Sequence, residues 1–243
     1  MGLKKQRILA IGGGGFQEEG GASPVDDYMV ALTGQAAARI CLLATPSGDR
    51  PDYIKAFHDA YSARGCETSH IAFFQREPQA GAVALSRLES HLLAQDVVFV
   101  SGGNTRAGVA IWREWGIDKI LVEATERGVL LAGMSAGAMC WFETALTDTY
   151  WECGYRGIPA LGFLEGGCRV HYGDTPEQRV RLHAALLAGA VPPTIAISDG
   201  AAVLYQAGVV TRVVTWLPDA SAWHVDVRGG LIHEQIYQCE SLV

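Results

Sequence analysis

Val129-Leu130-Leu131-Ala132-Gly133-Met134-Ser135-Ala136-Gly137-Ala138-Met139-Cys140 is an apolar run that stops at Gly-x-Ser-x-Gly and resumes in small residues. This order predicts a buried strand, a sharp turn and the first turn of a helix. A strand that turns at once into a helix crowds its own backbone, and glycines at 133 and 137 carry no Cβ to clash. The turn lifts the Ser135 hydroxyl above the sheet. It also aims the N–H of Ala136, at a helix N-terminus, at whatever the serine attacks. Ser135 is therefore a candidate nucleophile. The same residues also fit a plain tight turn with Ser135 as an N-cap, so the rest of the chain must decide.

Working outward, the chain repeats a strand-then-helix pattern. Apolar strands are expected at 7–11, 39–44, 68–74, 97–100 and 129–134. Helices are expected at about 26–32, 51–63, 82–93, 106–115 and 118–127. The alternation implies a parallel, doubly wound sheet with helices on both faces: a three-layer α/β/α fold. Catalytic groups of such folds collect at strand C-termini, and glycine turns at 12–15, 102–103 and 133–137 all stand there. The first of these could suggest a dinucleotide site. Polar Gln17, Glu18 and Glu19 follow it instead of an apolar helix, and the acids would repel a pyrophosphate. A flexible loop beside the site fits better.

Beyond Cys140 the chain changes character. Residues 141–157 read as an irregular segment over the site. A short strand at 168–172 ends in His171-Tyr172, and a helix follows from Thr175-Pro176. A strand at 194–197 ends in Ser198-Asp199-Gly200, and four antiparallel strands close the chain, the last two joined at 228–230. No linker or repeat interrupts the 243 residues, so one domain spanning 1–243 is expected.

Composition narrows the function classes. Apolar residues make up 49% and charged residues 19%, which suits a buried parallel sheet. A net charge of −7 makes nucleic acid and anionic membrane poor partners. No apolar stretch approaches the ~20 residues of a membrane span. The basic start (Lys4, Lys5, Arg7) is followed by too short an apolar run for a signal peptide. Six cysteines, none in C-x-x-C, point to reduced thiols and a cytoplasmic location.

A serine needs a base within hydrogen-bond reach and a group that orients the base. Among seven histidines only His171 stands at a strand end beside a glycine-rich turn. Asp199, at another strand end, is the best placed carboxylate, with Asp174 and Asp148 as competitors. The order Ser135, His171, Asp199 differs from that of α/β-hydrolases, where the acid precedes the histidine, so that fold is excluded despite the motif.

Four stretches carry a family resemblance: Ser101-Gly102-Gly103-Asn104-Thr105, the Gly133–Ala138 elbow, His171-Tyr172 before a helix, and Asp199-Gly200. Together they resemble the peptidase E family of serine peptidases, which includes aspartyl dipeptidase and, more distantly, cyanophycinase. The resemblance implies a class I glutamine amidotransferase-like fold, with Ser135 as nucleophile, His171 as base and Asp199 as acid. It implies an oxyanion hole from the N–H groups of Gly103 and Ala136. It also implies a substrate site that includes Gly102, Asn104, Thr105 and Met134, and it requires no metal or cofactor. The implied partner is a short peptide, acted on by a monomer or homodimer. Pro176 stands where aspartyl dipeptidases carry the Arg of T-R-E-Q-R, which weakens selectivity for N-terminal Asp. Arg179 or Arg169 remains to bind a substrate carboxylate. An amidase or esterase on a small metabolite, or a non-catalytic binding protein on the same fold, would use the same framework.

Overall fold

The computed structural model describes residues 5–21, 23–75, 79–149, 154–173 and 175–243. Its centre is an eight-stranded sheet. Five parallel strands form its body: β1 (Arg7–Ile11), β2 (Arg39–Leu43), β3 (Glu67–Ile71), β4 (Val97–Val100) and β5 (Leu130–Met134). They lie in the order β1-β5-β4-β2-β3. β10 (Ala201–Gln206) adds antiparallel to β1, β11 (Val209–Thr215) follows it, and β14 (Glu240–Ser241) forms the edge.

Successive residues of β1 supply opposite faces of this sheet. Ile8 and Ala10 enter one core and Leu9 and Ile11 the other. A strand buried on both sides reads as a continuous apolar run, which is why β4 and β5 show no polar alternation. On the Leu9 and Ile11 face lie α1 (Pro24–Ala31) and α2 (Pro51–Ser62), which bury Val25, Met29, Tyr53, Ile54, Phe57 and Tyr61. On the other lie α3 (Leu88–Leu92), α4 (Thr105–Glu114) and α5 (Ile117–Glu126), so helices do cover both faces.

The chain then builds a second sheet that the strand pattern alone did not separate from the first. It contains β6 (Phe142–Thr147), β7 (Arg156–Pro159), β8 (Leu164–Val170), β9 (Thr194–Ile197), β12 (Ala222–Arg228) and β13 (Leu231–Ile236), in the order β13-β12-β9-β8-β6-β7. One side of it, with Ala145, Cys168, Ile195 and Ile197, packs in the same core as Ile8, Ala10 and Cys41. Its other side carries α7 (Pro176–Leu187), whose Leu182 and Leu186 meet Leu146, Ala196 and Val225. Sequence-adjacent strands β9 and β10 therefore belong to different sheets, and Ser198-Asp199-Gly200 bridges them.

Three local expectations need correction. Residues 141–157 are not irregular at their ends, because β6 and β7 pair antiparallel there. The helix expected over 82–93 is confined to α3 and a preceding 3₁₀ turn at Leu85–Arg87. Residues 81–83 bond instead to His70 on the edge strand β3, whose free backbone groups recruit them. The loop after β1 is not loose. Phe16 is buried, with edge contacts to Tyr53, Phe57, Tyr61 and Phe99 at 5.5–6.0 Å. Glu19 Oε1 accepts from Gly15 N–H at 3.0 Å and from Trp216 Nε1–H at 2.6 Å.

Candidate active site

The strand β5 delivers Ser135 into a four-residue helix, α6 (Ala136–Met139). Ser135 holds φ 55° and ψ −113°, a conformation that costs a non-glycine residue roughly 1–3 kcal/mol. The surroundings enforce it. A Cβ on Gly133 would stand 2.3 Å from the Gly137 carbonyl oxygen, and one on Gly137 would stand 2.2 Å from that of Val100. Both glycines of the motif are thus fixed by close backbone approach.

The second sheet supplies the partners. β8 ends at Val170, and His171 follows in a turn with φ 54°. Its Nε2 lies 2.9 Å from Ser135 Oγ, and its Nδ1 lies 2.6 Å from Asp199 Oδ1. With Nδ1–H donating to the carboxylate, Nε2 is left to accept from the serine. Both side chains are about one-third exposed, His171 at 30% and Asp199 at 35%, and His171 faces the cleft over Ser135. Asp199 also forms a parallel bridge with Gly13, and Gly200 N–H donates to the Gly13 carbonyl at 3.1 Å. The end of β1 thereby backs the carboxylate. Of the two competing acids, Asp148 acts on the Arg169 guanidinium, and Asp174 lies outside the described residues.

A cleft of about 270 Å³ opens over this group, just below the roughly 300–1,000 Å³ usual for ligand sites. Ser135, His171, Gly102, Gly103 and Met134 line it, together with Gln17, Glu18, Pro46, Ser47, Arg50 and Tyr53. Gly103, at φ 128°, packs so tightly that a Cβ would lie 2.1 Å from the Pro46 carbonyl. Among the described residues, neither Gly103 N–H nor Ala136 N–H donates to a protein acceptor. Both follow neighbouring parallel strands, β4 and β5.

Other residues expected to bind substrate stand elsewhere. Asn104 caps α4, its Oδ1 accepting from Ala107 N–H at 2.9 Å, and Thr105 is buried in the first turn. Helix capping is the physical reason for Asn in G-G-N-T. Arg179 is turned away: it pairs with Glu234 at 2.6 Å and covers the Tyr172 and Trp223 rings. Arg169 is buried, donates to the Leu146 carbonyl and stacks on Tyr155. Among the described residues, the cation that does line the cleft is Arg50. Sequence reasoning missed it because nothing local marks it, since it merely precedes the Pro51 helix start. Glu18, which in the sequence reads only as an acid hostile to phosphate, lines the cleft as well.

The model of peptidase family S51 matches residues 8–213, most of the chain. The chain belongs to peptidase family S51. A Bacillus subtilis (strain 168) relative, the uncharacterized peptidase YgaJ, is 36% identical over 220 residues, covering 90% of this chain and 92% of its own. The fold is also that of a solved peptidase from an acI-B1 actinobacterium, with a TM-score of 0.72 at 15% identity over 98% of this chain and 96% of the other. A Listeria monocytogenes EGD-e structure named for peptidase E has a TM-score of 0.63 at 16% identity, covering 87% and 99% respectively. The peptidase E resemblance read from the motifs is therefore correct at the level of family and fold. No helix among the described residues is long and apolar enough to cross a membrane.

Proposed function

We propose that this S51 peptidase is a serine hydrolase that cleaves short peptides through an acyl-enzyme on Ser135. The observation that carries this reading is the continuous relay Ser135 Oγ–His171 Nε2–Nδ1–Asp199, with spacings of 2.9 and 2.6 Å. His171 takes the serine proton as Oγ attacks the scissile carbonyl carbon, and Asp199 stabilises the imidazolium that forms. The N–H groups of Gly103 and Ala136 hold the oxyanion. As the tetrahedral intermediate collapses, the C–N bond breaks and His171 gives its proton to the leaving amine. Water, deprotonated by the same imidazole, then attacks the ester and frees Ser135.

The small cleft supports short substrates over folded proteins. The thiols of Cys41, Cys66, Cys140, Cys168 and Cys239 are free, which supports a reducing, cytoplasmic setting. The test is a panel of Asp-X and other dipeptides, simple amides and p-nitrophenyl esters, with wild type and Ser135→Ala. The reading expects dipeptide hydrolysis that Ser135→Ala abolishes with folding unchanged. Full activity in that variant contradicts it.

A further inference from the structure

The cleft over Ser135 carries opposite charges on its walls. Glu18 comes from the loop after β1, and Arg50 from the residue before α2. Glu18 stands on the His171 and Asp199 side, close enough to feel both charges, and Gly14 N–H donates to its carboxylate. Its loop is fixed by Phe16 and Glu19, so the carboxylate is presented on an ordered support. Arg50 stands by the turn that contains Pro46 and Ser47, which packs against Gly103. Its Nε donates to Asp52 at 3.1 Å and one terminal nitrogen also meets that carboxylate. A guanidinium has five N–H donors, so this pairing leaves donors for a ligand.

Resting on the hydrolase reading above, we propose that Glu18 and Arg50 are specificity-determining residues that hold the two charged groups of a small zwitterionic peptide. Glu18 takes the free α-ammonium and Arg50 takes a carboxylate, whether the C-terminus or an acidic side chain. A wall of each sign around ~270 Å³ favours a ligand that carries both charges within a short span. Burial pushes the Glu18 carboxyl above its ordinary range and Asp199 adds to the shift. An incoming ammonium relieves both effects. A substrate with a blocked terminus leaves one wall charge uncompensated and binds poorly, so selectivity comes from mismatch as well as attraction.

The experiment measures kcat and KM for wild type, Glu18→Gln and Arg50→Gln on Ala-Ala, N-acetyl-Ala-Ala, Ala-Ala amide and Asp-Ala amide, with pH profiles. Glu18→Gln is expected to raise KM about tenfold or more for free-amine substrates and to leave N-acetyl-Ala-Ala unchanged. Arg50→Gln is expected to do so for substrates with a carboxylate and not for Ala-Ala amide. The C-terminus is the group read if Ala-Ala is affected and Asp-Ala amide is not; the reverse identifies the side chain. If Glu18→Gln lowers kcat equally for acetylated and free substrates and moves the acid limb of the profile, Glu18 serves the imidazolium, and the proposal fails. If Arg50→Gln treats charged and blocked substrates alike, it fails too. An active wild type in either case leaves the hydrolase reading standing. A wild type that cleaves none of the four overturns the proposal, and the wider panel with Ser135→Ala then decides the hydrolase reading.

Discussion

Gly13 lies so close beneath Asp199 that a Cβ on it would stand 2.0 Å from Asp199 Oδ1 and 3.0 Å from His171 Nδ1. The first glycine loop of the chain thus serves the acid–base pair by leaving room for it. Gly13→Ala is expected to push the carboxylate aside and misalign the imidazole. Misplacement by about 1 Å costs roughly 10²-fold in rate. Steady-state kinetics should show that loss mainly in kcat, with a thermal melt separating it from unfolding. An unchanged kcat would mean that Asp199 need not stay where it is.

Asp199→Asn tests the orienting acid directly. The amide cannot stabilise an imidazolium and favours the wrong tautomer, so kcat should fall by about 10³–10⁴-fold with Tm little altered. Asp148→Asn, at the acid that acts on Arg169, should leave kcat within about twofold. Equal losses in the two variants would disprove the assignment of Asp199.

Asp26 predicts a pH signature of stability. Burial pushes its carboxyl up to about 6, while Tyr61 O–H, donating at 2.6 Å, draws it partly down. A carboxylate raised in the fold opposes folding when charged. Its cost is present at neutral pH and fades as pH falls through about 6 toward the unfolded value of 3.8, where both states hold the proton. Chemical denaturation should show this contribution rising by up to about 3 kcal/mol over that interval. Asp26→Asn should flatten the interval and match or exceed wild-type stability at pH 7. A variant that keeps the wild-type slope would remove Asp26 as its source.

Arg179 is expected to behave as a brace for α7. Its guanidinium ties that helix to Glu234 on β13 and rests on two rings, worth about 1 kcal/mol at this exposure. Arg179→Ala should lower Tm by a few degrees. The ratio of kcat/KM for acidic over neutral peptides should not change. Loss of that preference alone would return Arg179 to the substrate site.

Much of this was legible in the sequence because local sterics write themselves into glycine. Gly133 and Gly137 had to be glycine for the elbow, and His171 and Asp199 stood at strand ends where a wound sheet collects its chemistry. What was illegible depended on long-range pairing. Nothing local told β9 and β10 apart as members of different sheets, or said that edge strand β3 would draw residues 81–83 out of a helix. Arg50 and Arg179 look equally exposed and basic in the sequence. Only the packing of α2 and α7 sets one on the wall of the cleft over Ser135 and ties the other to Glu234.

The central claim is that Ser135 is a nucleophile activated by His171. Intact-protein and peptide mass spectrometry after treatment with a fluorophosphonate tests it most directly. A single adduct on Ser135, formed as activity disappears and absent from Ser135→Ala and His171→Ala, is the expected result. An unlabelled Ser135 in an enzyme that still cleaves peptides, or an adduct on another serine that tracks inactivation, would contradict it.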